Sequence, residues 1–229
     1  MSAIASNLQA VQARIVAAAK LAGRLPESIQ LLAVSKTWPL GHVLEAADAG
    51  QRAFGENYVQ EGVDKAIASA DRQLEWHFIG PLQSNKTRPV AENFAWVHAI
   101  DRLKIAERLS AQRPASLPPL QVCVQVNVSG EVSKSGCIPE EALALSQAVA
   151  SLPGLRLRGL MAIPEPTDDA QAQRAPFREL REIFDHIRAA GLPLDTLSMG
   201  MSHDLEAAVA EGATIVRIGT AIFGERNYA

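Results

Sequence analysis

A lysine directly follows an apolar segment near the start of the chain. Residues 31–38 read LLAVSKTW, so the apolar run 31–34 ends in Ser35 and Lys36, and a helical pattern starts at Pro39. In parallel α/β folds, ligands bind at the carboxyl ends of the strands. A lysine that is desolvated there loses its proton more readily and attacks carbonyl groups. The pattern therefore indicates an amine that forms a Schiff base with an aldehyde, and a solvated lysine at a strand end is the alternative.

Two glycine-containing turns near the carboxyl end of the chain have the composition of a phosphate site. The first is SMGMSHD (198–204), and the second, VRIGTAIFG (216–224), contains Gly219 and Thr220 directly after a predicted strand. Backbone N–H groups and hydroxyls at the start of a helix bind anions, and α/β barrels frequently bind phosphate with the loops after strands seven and eight. These turns predict a phosphate site, with ordinary helix capping by Ser202 as the alternative.

Arg217 lies within the apolar eighth strand, two residues before the second turn. A buried arginine needs a partner, so a structural salt bridge is one explanation. A Schiff-base lysine, a phosphate site and an inward-facing arginine also suit pyridoxal 5′-phosphate (PLP), with Arg217 facing the pyridine nitrogen. We therefore predict PLP as the cofactor that meets Lys36.

Other residues at predicted strand ends are candidates for the same site. Asn57 either reaches the cofactor or caps the next helix, and His77 is either a neighbour of the ligand or a satisfied core histidine. Met161 stands at the end of the sixth strand. No pair of histidines has a metal-ligand spacing such as HExxH, so no metal site is predicted.

Hydrophobic periodicity predicts eight strands that alternate with helices after an amphipathic helix over 2–22. This order indicates an α/β fold, a single (β/α)8 barrel domain over 1–229 with an extra N-terminal helix. A doubly wound open sheet is the alternative, but its GxGxxG signature is missing. Residues 164–176 are expected to form the longest loop and a mobile flap. The predicted strands are 29–34, 53–57, 76–79, 96–100, 121–128, 155–163, 196–199 and 214–218.

Composition narrows the class of protein. The chain has 229 residues, 48% of them hydrophobic and 21% charged, with a net charge of −3, which is typical of a globular protein and disfavours binding to nucleic acid or an anionic membrane. Two cysteines do not make a disulfide framework, and Cys123 is expected in the core. Neither a signal peptide nor a membrane span is apparent, so we expect a cytoplasmic protein.

The chain resembles the YggS/PROSC family of PLP homeostasis proteins, whose fold is similar to the N-terminal barrel of alanine racemase, a fold-type III PLP-binding barrel. The motifs that carry the resemblance are AVSKTWP (33–39), FGENYVQE (54–61), WHFIGPLQSNK (76–86), NVSGEVSKSG (127–136), GLMAI (159–163) and LSMGMSHDLEAAVAEGATIVRIGTAIFG (197–224). The resemblance implies a Schiff base between PLP and Lys36, and Arg217 on the pyridine nitrogen. It assigns the phosphate to Ser202, Gly219 and Thr220, and the lining of the pocket to Asn57, His77 and Met161. His203 stands where the family is expected to have a small or acidic residue.

These residues favour a carrier of PLP over a vigorous catalyst. An arginine keeps its proton at neutral pH, so it leaves the pyridine nitrogen unprotonated and the ring a poorer electron sink. We expect a protein that buffers or delivers PLP, that acts as a monomer, and whose partners are PLP and PLP-dependent client enzymes. The alternatives are a small amino acid racemase, for which 229 residues leave no second domain with a tyrosine acid/base, and a Schiff-base aldolase, which would not need Arg217.

Overall fold

The computed structural model describes residues 2–130 and 135–225 and contains a closed barrel of eight parallel strands. Each strand pairs with the next along the chain, and the eighth pairs with the first, with Leu32 opposite Arg217. The predicted (β/α)8 barrel is therefore confirmed. Its strands are β1 (Gln30–Val34), β2 (Ala53–Glu56), β3 (Glu75–Phe78), β4 (Trp96–Ile100), β5 (Leu120–Gln125), β6 (Leu155–Met161), β7 (Thr196–Ser198) and β8 (Ile215–Ile218).

Helices surround the barrel, and the extra N-terminal helix α1 (Ala3–Leu21) packs against two helices near the end of the chain. Gly23, with φ of +65°, ends α1 in a Schellman motif, because Gly23 N–H donates to Lys20 O and Arg24 N–H donates to Ala19 O. The other helices are α2 (Leu40–Asp48), α3 (Val59–Ala68), α4 (Thr87–Asn93), α5 (Leu103–Gln112), α6 (Ala142–Ala150), α7 (Ala170–Ala189), α8 (Leu205–Ala210) and α9 (Thr220–Phe223).

Alternation along the strands divides the apolar residues into two clusters. On β1, Leu32 and Val34 belong to the cluster inside the barrel, whereas Ala33 belongs to the cluster between strands and helices. Cys123 lies in the inner cluster as expected, and burial raises the pKa of its thiol to about 12. Because the interior is filled by side chains, a ligand site can form only above it, at an end of the barrel.

The predicted ends of the fifth and sixth strands are wrong, since the sixth ends at Met161 and not at residue 163. The fifth strand ends at Gln125, not at residue 128, because Cys137 returns to the barrel there and donates its N–H to Gln125 O. Residues 131–134 of the motif 127–136 lie outside the described residues.

The predicted loop over 164–176 is shorter than expected, because α7 already begins at Ala170 and contains Pro176. A proline in a helix removes one backbone hydrogen bond. Asp169 offsets part of this loss, since its carboxylate accepts the N–H of Ala172. Burial of the apolar face of α7 supplies the rest: Phe177, Leu180, Phe184 and Ile187. No helix in the described ranges has the length and apolar character needed to cross a membrane.

Candidate functional site

A cavity of about 240 Å³ opens at the carboxyl ends of the strands, near the lower limit of typical ligand sites. Six of the eight predicted site residues lie in its wall. The lining residues are Val34, Lys36, Asn57, Ile79, Ile163, Met201, Ser202, His203, Arg217, Gly219 and Thr220. A larger cavity of about 670 Å³ lies beside it and shares Asn57.

Lys36 reaches the cavity from a tight turn that follows β1. Trp38 N–H donates to Ser35 O at 3.0 Å, which closes the turn. Thr37 adopts a left-handed conformation with φ of +68°, which is unusual for a residue other than glycine and costs on the order of 1–3 kcal/mol. Such strain persists only where surrounding contacts hold it. The turn therefore fixes the backbone on both sides of a half-buried lysine.

The first predicted phosphate turn packs closely on α8. Gly200 has φ of +93°, and a Cβ there would lie 2.5 Å from Ala208 Cβ. The N-cap of α8 is Asp204, whose Oδ1 accepts Met201 N–H at 2.5 Å, so Ser202 does not cap this helix. Arg14 instead holds the carbonyl of Ser202 at 2.7 Å. The alternative of ordinary capping by Ser202 is thereby removed.

The second turn places Gly219 and Thr220 at the start of α9. Gly219 O accepts the N–H groups of Ile222 and Phe223, which starts the helix directly after β8. Backbone N–H groups in a first helical turn have no acceptor within the helix, so they are available to an anion. Both turns thus line the same cavity, the first with Ser202 and the second with Gly219 and Thr220.

Arg217 is 4% exposed and makes no salt bridge with any described residue. Its Nη1 donates to Ser198 Oγ at 2.9 Å and its Nη2 to Ala162 O at 2.9 Å. Burial lowers the pKa of Arg217 to about 10, so the guanidinium stays protonated at neutral pH. Among the residues that the structure describes, the salt bridge considered from the sequence is absent, and the positive charge of Arg217 lines the cavity without an ion-paired carboxylate.

A chain of hydrogen bonds runs from Arg217 through the barrel interior. Ser198 Oγ accepts from Arg217 and donates its own proton to His98 Nδ1 at 2.7 Å. His98 then carries its proton on Nε2 and donates to His77 Nδ1 at 2.9 Å. His77 in turn donates from Nε2 to Glu75 Oε1 at 2.8 Å. Burial lowers the pKa of both imidazoles, so each is neutral and carries one proton. Because the carboxylate of Glu75 can only accept, every proton along the chain points towards Glu75.

Two predicted site residues lie in the interior and are not among the residues that line the cavity. His77 is a fully buried histidine with both ring nitrogens bonded, which is the core alternative that the sequence left open. Met161 is fully buried in the inner apolar cluster. Sequence reasoning missed His98 and Ser198. The available signal was their position on predicted strands, but a single sequence does not reveal that both side chains face the same interior level.

The two buried histidines predict a loss of stability in acid. Burial lowers the pKa of His77 and, most strongly, of His98, which also lies near Arg217. Unfolding lets both rings take up protons below about pH 6.5, so the free energy of unfolding should fall by up to about 1.4 kcal/mol per pH unit for each histidine between pH 6.5 and 5. Urea denaturation at several pH values measures this slope. His98→Gln should reduce it and the exposed His186→Gln should not; equal slopes for wild type and His98→Gln would contradict the account.

The donor set of the cavity fits PLP. Lys36 supplies an amine, the two turns supply N–H and hydroxyl groups, and Arg217 supplies a charged donor that is not ion-paired with any carboxylate of the described ranges. Asn57 Oδ1 is buried and accepts no hydrogen bond from a described residue, so it can accept one from a ligand. No group of three or more side chains suited to a metal ion occurs in the described part of the chain.

Fold and site define a barrel of the alanine racemase type. Residues 2–227 match the family described as alanine racemase, N-terminal domain. Over its whole length the chain is 64% identical to a pyridoxal phosphate homeostasis protein of Pseudomonas aeruginosa, of which 98% is covered, and 57% identical to one of Escherichia coli K12, of which 99% is covered. PipY of Synechococcus elongatus, solved with PLP bound, has a TM-score of 0.83 and 38% identity over 96% of this chain and 100% of PipY. The chain belongs to the YggS/PROSC family of pyridoxal phosphate homeostasis proteins.

Proposed function

We propose that this chain binds PLP in intracellular PLP homeostasis, holding it covalently on Lys36 and buffering or delivering it. One observation carries the proposal: a single cavity is lined by a lysine amine, by two turns with donors for a phosphate, and by an arginine that forms no ion pair within the described part of the chain. The names of the relatives and the PLP bound to PipY support it.

PLP supplies an aldehyde that condenses with a primary amine, and the residues of this chain divide its binding among them. In our proposal Lys36 provides the amine, and Asn57 Oδ1 accepts a hydrogen bond from a ligand hydroxyl. Arg217 donates to the pyridine nitrogen and leaves that nitrogen unprotonated, because a guanidinium does not release its proton at neutral pH. The phosphate is assigned to Ser202, Gly219 and Thr220.

This assignment favours storage over turnover. A carboxylate on the pyridine nitrogen would let the ring withdraw electrons, whereas an arginine does not. An amino acid racemase is the second candidate, because His203 lines the same cavity as Lys36 and offers a second titratable group. Loss of optical activity from single-enantiomer alanine, abolished by Lys36→Ala, would favour the racemase.

We further propose that the chain acts as a single-domain monomer in the cytoplasm and that PLP-dependent enzymes receive the cofactor from it. An arginine at the pyridine nitrogen suits this role, because it does not strongly activate the bound cofactor. A cofactor held in this way is protected from side reactions. A client would accept PLP through a lysine of its own.

The test mixes PLP-free protein with PLP, removes unbound cofactor by gel filtration, and measures the absorbance and the amount of PLP per chain. We expect about one PLP per chain, a visible absorbance that differs from free PLP, and transfer of the cofactor to the PLP-free form of a PLP-dependent enzyme. A protein that elutes colourless and without PLP would refute the proposal.

Arg217→Glu is expected to retain covalently bound PLP but to change its reactivity. A glutamic acid at this position protonates the pyridine nitrogen, so the bound cofactor should react with added amino acids at least about tenfold faster, or about 1.4 kcal/mol lower in barrier. Stopped-flow absorbance after mixing with alanine measures this rate. Arg217→Met, which removes the donor without adding an acid, serves as control and should lack the acceleration; equal rates for both variants and wild type would show that Arg217 is only structural.

A further inference from the structure

A buried group of charges lies next to the turn that carries Lys36. Lys65 of α3 is 6% exposed, and its Nζ lies 2.7 Å from Glu56 Oε1 and 2.7 Å from Glu61 Oε1. The same Nζ donates to Ser35 O at 2.9 Å. All three donor directions of this ammonium are therefore used, one of them on the residue before Lys36.

The two carboxylates bind the turn on either side of Lys36. Ser35 Oγ donates to Glu56 Oε1 at 2.6 Å, and Thr37 N–H donates to Glu61 Oε1 at 2.6 Å. Lys65 thus reaches the residue before Lys36 directly and the residue after it through Glu61. These contacts also hold Thr37 in its left-handed conformation.

The packing of α3 is adapted to this group of charges. A Cβ on Gly62 would lie 2.6 Å from Phe94 Cζ and 3.0 Å from Glu56 Cβ, so only glycine lets the helix approach β2 this closely. Glu56 is fully buried, and its Oε2 has no hydrogen-bond partner among the described residues. Burial raises the pKa of Glu56, and Lys65 opposes that rise.

A buried ion pair is rarely a better source of stability than apolar side chains of the same volume. Here the charged groups form hydrogen bonds with Ser35 and Thr37, the two neighbours of Lys36. Lys36 itself lines the candidate site. A role in stability alone would not require contacts to these two residues.

We propose that Lys65, Glu56 and Glu61 form a clamp of positioning residues that aims the Lys36 side chain into the cavity. The inference rests on the proposed function, because it concerns the covalent bond between Lys36 and PLP. Rigid support holds a reactive group close to the geometry in which it can react, so the reaction is faster. The clamp should therefore change the rate of covalent attachment and leave untouched the binding of a ligand that lacks the aldehyde.

Three variants separate positioning from stability. Glu61→Ala removes the acceptor of Thr37 N–H at a partly exposed position, so the fold should survive. Lys65→Met leaves the carboxylate of Glu56 buried without a cationic partner and should lower the urea midpoint of unfolding. Adding Glu56→Gln to Lys65→Met should restore that midpoint and should not restore attachment. Lys104→Met, at an exposed lysine of α5, is the matched control.

The experiment follows attachment by timed reduction with borohydride and measures binding of pyridoxine 5′-phosphate, which has no aldehyde, by calorimetry. We expect attachment to slow at least about tenfold in Glu61→Ala and in the double variant, with the Kd for pyridoxine 5′-phosphate within about twofold of wild type and Lys104→Met unchanged. Folded variants that attach PLP as fast as wild type would overturn the clamp alone. A wild-type chain that never becomes covalently labelled would overturn the proposed function and the clamp together.

Discussion

Purified Lys36→Ala is expected to retain no covalently bound PLP after mixing with the cofactor and reduction with borohydride. The phosphate turns and Arg217 remain in this variant, so PLP should still bind through them, at least about a hundredfold more weakly, a loss of about 2.7 kcal/mol. Pyridoxine 5′-phosphate, which makes no bond to an amine, should bind as it does to wild type. Absorbance of the gel-filtered protein and calorimetry with both ligands measure the two effects.

Lys86→Ala is the matched control for this substitution. Lys86 is exposed and lines the larger neighbouring cavity, not the one that holds Lys36. It should retain PLP as wild type does. Retention of borohydride-fixed PLP by Lys36→Ala at the wild-type level would mean that another amine of the chain holds the cofactor.

Adding a single methyl group to the barrel is expected to cause the largest loss of stability at position 159, in the variant Gly159→Ala. Gly159 of β6 pairs with Thr196 of β7, and a Cβ at position 159 would lie 1.7 Å from Thr196 O. Thr196 O belongs to the backbone and cannot rotate away, so β6 and β7 must move apart within the closed barrel to accommodate the methyl group. We expect a loss on the order of 3 kcal/mol in the free energy of unfolding, measured by urea denaturation.

Gly41→Ala is the control for added volume. Gly41 lies in α2, and a Cβ there meets nothing within 4 Å. Alanine is the better helix former, so this variant should be as stable as wild type or more stable by about 0.5–1 kcal/mol. A Gly159→Ala protein as stable as Gly41→Ala would contradict the close approach of β6 and β7.

Local patterns were sufficient to predict most of the barrel. β4 was predicted to the residue: Trp96–Ile100 is buried, apolar except for His98, and followed by Asp101. α1 differs by one residue at each end from the predicted helix, since Ser2 and Gly23 are strong start and stop signals. The carboxyl ends of β1, β7 and β8 were also predicted well. These strand ends carry Lys36 and the two turns.

Long-range contacts account for what the sequence did not predict. Pro176 suggested a loop, but the buried face of α7 outweighs the hydrogen bond that this proline removes. The sequence around His77 suits a pocket residue and a core residue equally well, because its partner His98 is 21 residues away along the chain. Lys65 carried no signal at all, since a lysine on a predicted helix is usually solvated. Its role depends on contacts with β2 and with the Lys36 turn.

The most direct test of the central claim is to find which lysine carries the cofactor. Wild-type protein is mixed with an equal amount of PLP, reduced with borohydride, digested and sequenced by mass spectrometry. We expect one modified position, Lys36, in nearly every chain. Modification spread over the exposed lysines, or confined to any lysine other than Lys36, would contradict it.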